Sequence, residues 1–558
     1  MTKMSHIGRL LRTVSYLKPV QLRNRLSRRL FPVRPKIFAG TSLRPLPQQL
    51  WDGLSGSSTM LSPTDFFHLS LKGEVATAAD WNNSKMPRLW IYHLHYFEDL
   101  VAKDSSSREA WHRSLISRWI NENRPLHGSG WEPYPISRRL ANWTKWILAG
   151  HAPTAGMVDS LAAQTEVLFH SLEWHLLGNH IFANAVALVF AGTVLSKDVG
   201  SRYLQRGLSI LSEQLPSQIL PDGGHFELSP MYHALILHDI LDLIQLAKLY
   251  PEELASAVNA QQWPLVAGRM LDWLAVMTFP DGGMAGFNDN ASGIAPTLAA
   301  LRDQARRLGV AFRGGACQTT SWQKDSGYFR LQQGPWVVFL DAAAVGASYI
   351  PGHAHADTLS VEVAFDGERL ICNSGTSTYD EGAQRDWERS TAAHSTVELD
   401  GLNSSEVWAS FRVGGRAQPF AAELVKQVNG IEAAASHNGY RFVDKSLIHH
   451  RRLRVDTDVT ITDCIKGSGQ HTIVMRLPLA VGATGFVAEN RAVVTTAGGS
   501  CFFFDTTAGC MTIENGTFAS TFGASEHRFV ITITSRQMLP ANFTTRISCV
   551  DAHSSAHR

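Results

Sequence analysis

Cysteine is scarce in this chain of 558 residues, and its six copies (317, 372, 464, 501, 510 and 549) all fall in the second half. No two are spaced as CxxC, which excludes zinc-ribbon and thioredoxin-type readings, and spacing alone leaves any disulfide undecided. Long apolar runs are also missing. The best candidate, IFANAVALVFAGTVL, contains Asn184 and falls short of the about 18 residues of a membrane span. No secretory signal is recognisable, because Arg or Lys recurs every few residues through MTKMSHIGRLLRTVSYLKPVQLRNRLSRRL. The compartment, periplasm or cytoplasm, stays open. A strong excess of one charge is lacking too: 51 Lys and Arg face 49 Asp and Glu, which argues against nucleic acid as a partner. The balance is uneven, since residues 1–35 carry nine basic side chains and no acidic one. This arm reads as a basic surface helix, packed on the body or making peripheral contact with anionic lipid.

What is present is a chain with 44% apolar and 18% charged residues, enough to bury sizeable cores. The hydrophobic period changes near residue 320. Before it, SLAAQTEVLFHSLEWHLLGN (160–179) sets Leu161, Val167, Leu168, Leu172 and Leu176 on one face, predicting a helix with Gly178 as its C-terminal stop. YHALILHDILDLIQLAKLY (232–250) repeats the pattern and ends before Pro251. Two loops resemble each other, LPDGGHFE from 220 and FPDGGMAGFND from 279, with prolines 59 residues apart. That spacing fits two helices plus loops per repeat, as in a helical toroid. After residue 320 the period becomes two, in segments such as TLSVEVAFDGERLIC and HRFVITITSRQ, predicting an antiparallel β-sandwich. The expected organisation is a basic arm at 1–40, an (α/α) toroid domain at 41–318 and a β-sandwich domain at 319–558, with a cleft between the two layers.

The densest polar cluster is GHAHADTLS at 352–360. On a strand, His353 and His355 would share one face, about 6–7 Å apart, as two metal ligands or as ligand plus base. His394 in STAAHSTVELDG and Asn373 in ICNSGTSTY are candidates to join His355 in a coordination sphere. Zinc prefers His with carboxylate or thiolate, so the amide of Asn373 is a poor ligand. In the helical half, GNHIFANA presents Asn179 and His180, and DGGHFELSPMYHALIL presents Glu227 and Tyr232 at a helix start. GWEPYPISRRLANWTKW mixes Trp131 and Tyr134 with Arg138, Arg139 and Asn142, and LWIYHLHYFEDL is similarly aromatic. Flat rings with fixed donors and cations suit an acidic sugar.

GNHIFANA, DGGHFELSPMYH, GHAHADTLS and STAAHSTVELDG, in this order across the change of period, resemble the heparinase II/III family of polysaccharide lyases. LHYFEDL and the Trp131 segment further resemble members encoded with bacterial exopolysaccharide pathways. The resemblance implies an incomplete (α/α) toroid joined to an antiparallel β-sandwich, and β-elimination on a uronate-containing polysaccharide. By match to the family motifs, Asn179, with His180 beside it, would neutralise the uronate carboxylate. Tyr232 would be the acid, and in a syn elimination both base and acid, with His353 the alternative base. His355 and His394 match positions that bind a structural zinc in some relatives, several of which have Asp where this chain has Asn373. Tyr379 is similar to a second active-site tyrosine, and Arg389 and Glu406 lie near the His394 motif as cleft-lining candidates.

Abstraction of the C5 proton builds negative charge beside a carboxylate, so a lyase must first neutralise that carboxylate. It then needs a base for C5 and an acid for the O4 leaving group. A uronate C5-epimerase would use the same groups, and a non-catalytic polysaccharide-binding or assembly factor would need the cleft without Tyr232 or His353. No pair of carboxylates is placed as acid and base of a glycoside hydrolase; Asp222 and Glu227 come nearest and read as helix-start braces.

Overall fold

The computed structural model describes residues 3–34, 36–254, 261–314 and 319–550, with side chains from residue 7 onward. Cys317 and the 318 end of the expected helical domain lie outside the described residues; Cys372, Cys464, Cys501 and Cys510 are free thiols. The arm forms α1 (Lys3–Val14) and α2 (Pro19–Leu30), and a short hairpin follows, β1 (Asp65–His68) and β2 (Leu71–Glu74). The helical domain then runs α3 (Arg88–Tyr96), α4 (Glu109–Glu122), α5 (Pro133–Leu148), α6 (Ala155–His170) and α7 (Gly178–Val194). It continues through α8 (Lys197–Gln218), α9 (Pro230–Leu249), α10 (Pro251–Leu254), α11 (Trp263–Val276) and α12 (Leu298–Arg307). Among the described residues, no helix is long and apolar enough to cross a membrane.

The helices form an incomplete (α/α) toroid. α7 is apolar on every side because it is enclosed by its neighbours, with all but one of its residues buried. It meets α8 backbone to backbone: a Cβ on Gly192 would stand 2.4 Å from the amide nitrogen of Leu204. Gly178 departs from the sequence expectation. The helix predicted across it ends at His170, and Gly178, at φ +56°, opens α7 instead of closing α6.

The resembling loops are the same turn used twice. Gly223 and Gly282 have φ of +96° and +85°, and the preceding Asp222 and Asp281 accept from the amides of Gly224 and Gly283 at 3.0 and 2.8 Å. Each turn is closed by a single bridge, Ile219 to His225 and Thr278 to Met284.

A five-stranded antiparallel meander opens the β half: β3 (Ser321–Gln323), β4 (Tyr328–Gln333), β5 (Trp336–Asp341), β6 (Val361–Phe365) and β7 (Glu368–Ile371). It is buried on both faces. Phe329 and Leu331 of β4 pack into the sandwich, while Tyr328 and Arg330 face the helices, where Arg330 donates to the carbonyls of Val276 and Thr278 at 3.1 and 2.7 Å. Against its sandwich face lies an eight-stranded sheet, into which the strand Ala541–Cys549 is inserted between Val459–Lys466 and Cys501–Thr506. A four-stranded sheet ends in Val397–Leu399, just beyond His394. The meander thus fixes toroid and sandwich against each other.

The arm lies across the seam between the two layers. Gln21 donates to the carbonyls of Leu176 in the toroid and Tyr349 in the β half, at 3.4 and 3.3 Å. Arg12 makes a two-pronged bond to Glu406, and Lys18 sits 3.6 Å over the Tyr349 ring. Its outward side exposes Leu11, Leu26, Leu30 and Phe31.

Candidate active site

A cleft of about 820 Å³ opens between the helices, the β half and the arm. Asn179 enters it from the first turn of α7. Glu227, carried by the first of the repeated turns, accepts from the Asn179 backbone and side-chain nitrogens at 2.7 and 2.9 Å, meeting the unpaired amides of a helix start. A Cβ on Gly178 would fall 2.3 Å from Glu227 Oε1, so only glycine permits this approach. Tyr232 enters from the first turn of α9, whose cap Ser229 accepts from its amide at 3.2 Å.

His353 faces both. Its ring stacks on Tyr232 with centroids 3.8 Å apart, and its Nδ1 donates to Asp289 Oδ2 at 2.9 Å. An acceptor-only carboxylate on Nδ1 leaves the Nε2 lone pair for the cleft. Nε2 lies 3.4 Å from both Asn179 Nδ2 and Glu227 Oε2. Asp289, from the second repeated turn, also accepts from Arg385 and from His355 Nε2, the latter at 2.9 Å. Burial works against its charge, but Arg385 and the two histidines outweigh it and hold the acid well below its ordinary value. The two turns therefore bring one carboxylate to each side of the His353 ring.

The Tyr232 hydroxyl is 3.0 Å from that of Tyr379, whose ring packs on Phe522 and Phe411. Burial, reinforced by Tyr379, pushes the Tyr232 hydroxyl well above the usual 10.0, so it stays protonated. His180 completes this wall, its ring 4.8 Å from Tyr134 and its Nδ1 3.2 Å from Glu173. Burial opposes its charge, yet Glu173 prevails and raises it above 6.5. Arg138 reaches the cleft while paired to Asp239 at 2.9 Å.

Two family models match in tandem, heparinase II/III N-terminus over residues 75–306 and heparinase II/III-like, C-terminal, over 319–550. The chain belongs to the heparinase II/III family. A heparin-sulfate lyase of Bacteroides stercoris is 23% identical over 49% of this chain and 44% of its own. A heparin-sulfate lyase of Bacteroides thetaiotaomicron is 26% identical over 56% and 51%. The chain thus spans about half the length of these curated relatives. A crystal structure of heparinase III superposes with a TM-score of 0.68 at 19% identity, covering 88% of this chain and 80% of that one, and shows the shared fold.

Within this family fold, several residues expected to bind substrate stand elsewhere. Arg139 is buried, donates to Gln164 and to the carbonyls of His95 and Gly130, and stacks 3.8 Å over Trp119. Asn142 is spent on the Tyr96 carbonyl at 2.9 Å, and Trp131 on that of Asn123 at 3.2 Å. Arg389 is buried against the Ala354 carbonyl, where it braces the His353 loop. Glu406 anchors Arg12 of the arm, and Glu227 stands behind Asn179. Each of these corrects the expectation of a cleft-lining side chain. Tyr134, Arg138 and Tyr379 do line the cleft, with Asn179, His180, Tyr232 and His353. Sequence reasoning passed over Asp289, although its loop was noted as a repeat, and Arg385, which no motif marks.

The family's histidine pair also differs in detail from expectation. Residues 351–360 form an irregular loop rather than a strand, and both rings converge because one carboxylate, Asp289, receives them. Asn373 is turned away, toward Ser360 and the Ser395 amide at 3.5 and 3.4 Å. The third converging donor is Asp357, two residues beyond His355 in the same motif. His355 gives its Nε2 proton to Asp289 and His394 its Nδ1 proton to the Ser390 carbonyl, so two lone pairs meet 3.1 Å apart. Two imidazole lone pairs with a carboxylate beside them fit the donor set of zinc.

Proposed function

We propose that this chain is a polysaccharide lyase that cleaves a uronate-containing acidic polysaccharide by β-elimination, leaving an unsaturated uronate end. The observation that carries the reading is the stack of Tyr232 on His353, with Asp289 behind the base and Asn179 beside it. The names of the similar heparin-sulfate lyases support an anionic, uronate-bearing polymer as substrate.

Glu227 occupies one proton of the Asn179 amide; the other, which faces His353 Nε2 in the free chain, passes to the uronate carboxylate when substrate enters, with His180, whose proton Glu173 favours, as a second partner. With that charge neutralised, His353 Nε2 takes the C5 proton. The imidazolium that forms lies between Asp289 and Glu227, which stabilise it. The C5–H electrons become the C4=C5 bond as the C4–O4 bond breaks, and Tyr232 delivers its proton to O4. Tyr379, hydrogen bonded to Tyr232, steadies the phenolate left behind. Base and acid stand on one wall of the cleft, the arrangement for elimination from one face of the sugar. A zinc ion held by His355, Asp357 and His394 would supply local rigidity, since His355 shares Asp289 with His353.

The test is ultraviolet absorbance of the purified chain with a panel of polymers: heparan sulfate, other glycosaminoglycans and bacterial uronate exopolysaccharides. Growth of the C4=C5 absorption with one polymer is expected. Its absence throughout, with C5 exchange in deuterated water on a bound polymer, would overturn elimination in favour of epimerisation.

A further inference from the structure

The segment LWIYHLHYFEDL supplies Tyr92 and Tyr96 to the cleft and also two side chains that the reaction above leaves unused, His93 and Glu98. They stand beside His68, the last residue of β1. One nitrogen of each imidazole and one Glu98 oxygen lie within 4.8 Å of one another. His93 Nδ1 is 2.9 Å from Glu98 Oε2, and the His68 and His93 rings are 5.9 Å apart. Phe97, at φ +59°, ends α3 and turns the chain so that Glu98 comes back beside His93.

His68 is the informative member. It is 5% exposed, clamped between Phe66 and Trp90, and its buried Nε2 has no hydrogen-bond partner. A buried polar nitrogen left alone is destabilising unless something else satisfies it. A neutral imidazole keeps one ring-nitrogen lone pair, and in that form it binds metal.

We propose that His68, His93 and Glu98 form a binding site for a divalent transition metal of the zinc class, with its remaining coordination position open to the cleft. Two imidazoles and one carboxylate are the donor set of zinc sites that keep a fourth position free. Nitrogen donors also favour zinc and its neighbours over magnesium or calcium, which take oxygen. The opening faces the cleft because His93 and Glu98 line it, while His68 lies behind them. The site shares no residue with His355, Asp357 and His394. That its open position receives a substrate carboxylate rests on the lyase reading; the metal site does not.

The metal-stripped 558-residue chain is titrated with Zn²⁺ against a chromophoric chelator, and separately with Co²⁺, whose visible bands report imidazole coordination. The wild type binds one equivalent more than Glu98→Gln or His93→Gln. Each variant weakens that site by at least the about 10–100-fold that losing an outer-shell partner causes. His394→Gln leaves this equivalent in place. Glu98 is 34% exposed, so its substitution leaves the core intact, and circular dichroism checks the fold. Equal stoichiometry and affinity in the wild type, Glu98→Gln and His93→Gln overturns the site. Bound metal is the readout, so a negative lyase assay with the stoichiometry intact would fell only the functional reading.

Discussion

The rings of Tyr232 and His353 stack 3.8 Å apart although 121 positions separate them in the chain, one in a helix of the toroid and the other in a loop of the β half. The contact spans the boundary between the two domains. Removing only the Tyr232 hydroxyl keeps the stack and deletes the proposed acid. Tyr232→Phe therefore retains the wild-type melting temperature and polymer binding while turnover, followed by ultraviolet absorbance, falls by about 10²–10⁴-fold. Full turnover in this variant would remove Tyr232 from the chemistry.

Asp289 touches His353, His355 and Arg385 together. Asp289→Asn leaves the buried Arg385 guanidinium without its counter-charge. Breaking a buried pair in this way costs about 3–5 kcal/mol, to be read from denaturant unfolding. The amide can also present an N–H to His353 Nδ1 and reverse its tautomer, so activity falls further than stability explains.

Gly178→Ala places a methyl group against Glu227 in a left-handed backbone. The backbone alone costs roughly 1–2 kcal/mol. Thermal melting reports this loss, and a drop in turnover accompanies it because Asn179 is the next residue. Wild-type values in both would mean that α7 can begin differently.

His180 and Glu173 give a pH signature. The folded-state value of His180 lies above its ordinary 6.5, so its contribution to stability is complete below 6.5 and is lost as pH rises through the raised value. The melting-temperature difference between the wild type and His180→Gln is therefore largest on the acid side of 6.5 and shrinks toward alkaline pH. A difference that grows with pH would mean that folding lowers the His180 value instead of raising it.

Much of this was legible in the chain. The change of period near residue 320 marks the step from helices to strands because a helix and a strand bury their apolar residues at different intervals. The repeated PDGG loops mark two copies of one turn because glycine alone enters that backbone freely. The cleft-facing side of α5 was not legible. That helix is buried on nearly every side, so Arg138, which reaches the cleft, and Arg139, which is sealed in the core, look alike in sequence. Nor was the pairing of Asp289 with Arg385, residues 96 apart that meet only once the whole fold is assembled. Asp357 was hidden differently: on a strand it would lie in line with His355, whereas an irregular loop lets it turn toward His394.

The arm also constrains the order in which the molecule takes shape. Its partners Leu176, Tyr349 and Glu406 lie 155, 328 and 394 positions further along the chain. The ribosome makes α1 and α2 before any of them, so this basic, leucine-bearing segment waits without a docking site until both layers have folded. Contacts of such long range form late. The wall that α1 and α2 lend to the cleft is therefore a late event in folding, and a nascent or partly assembled molecule has a cleft with that side still open.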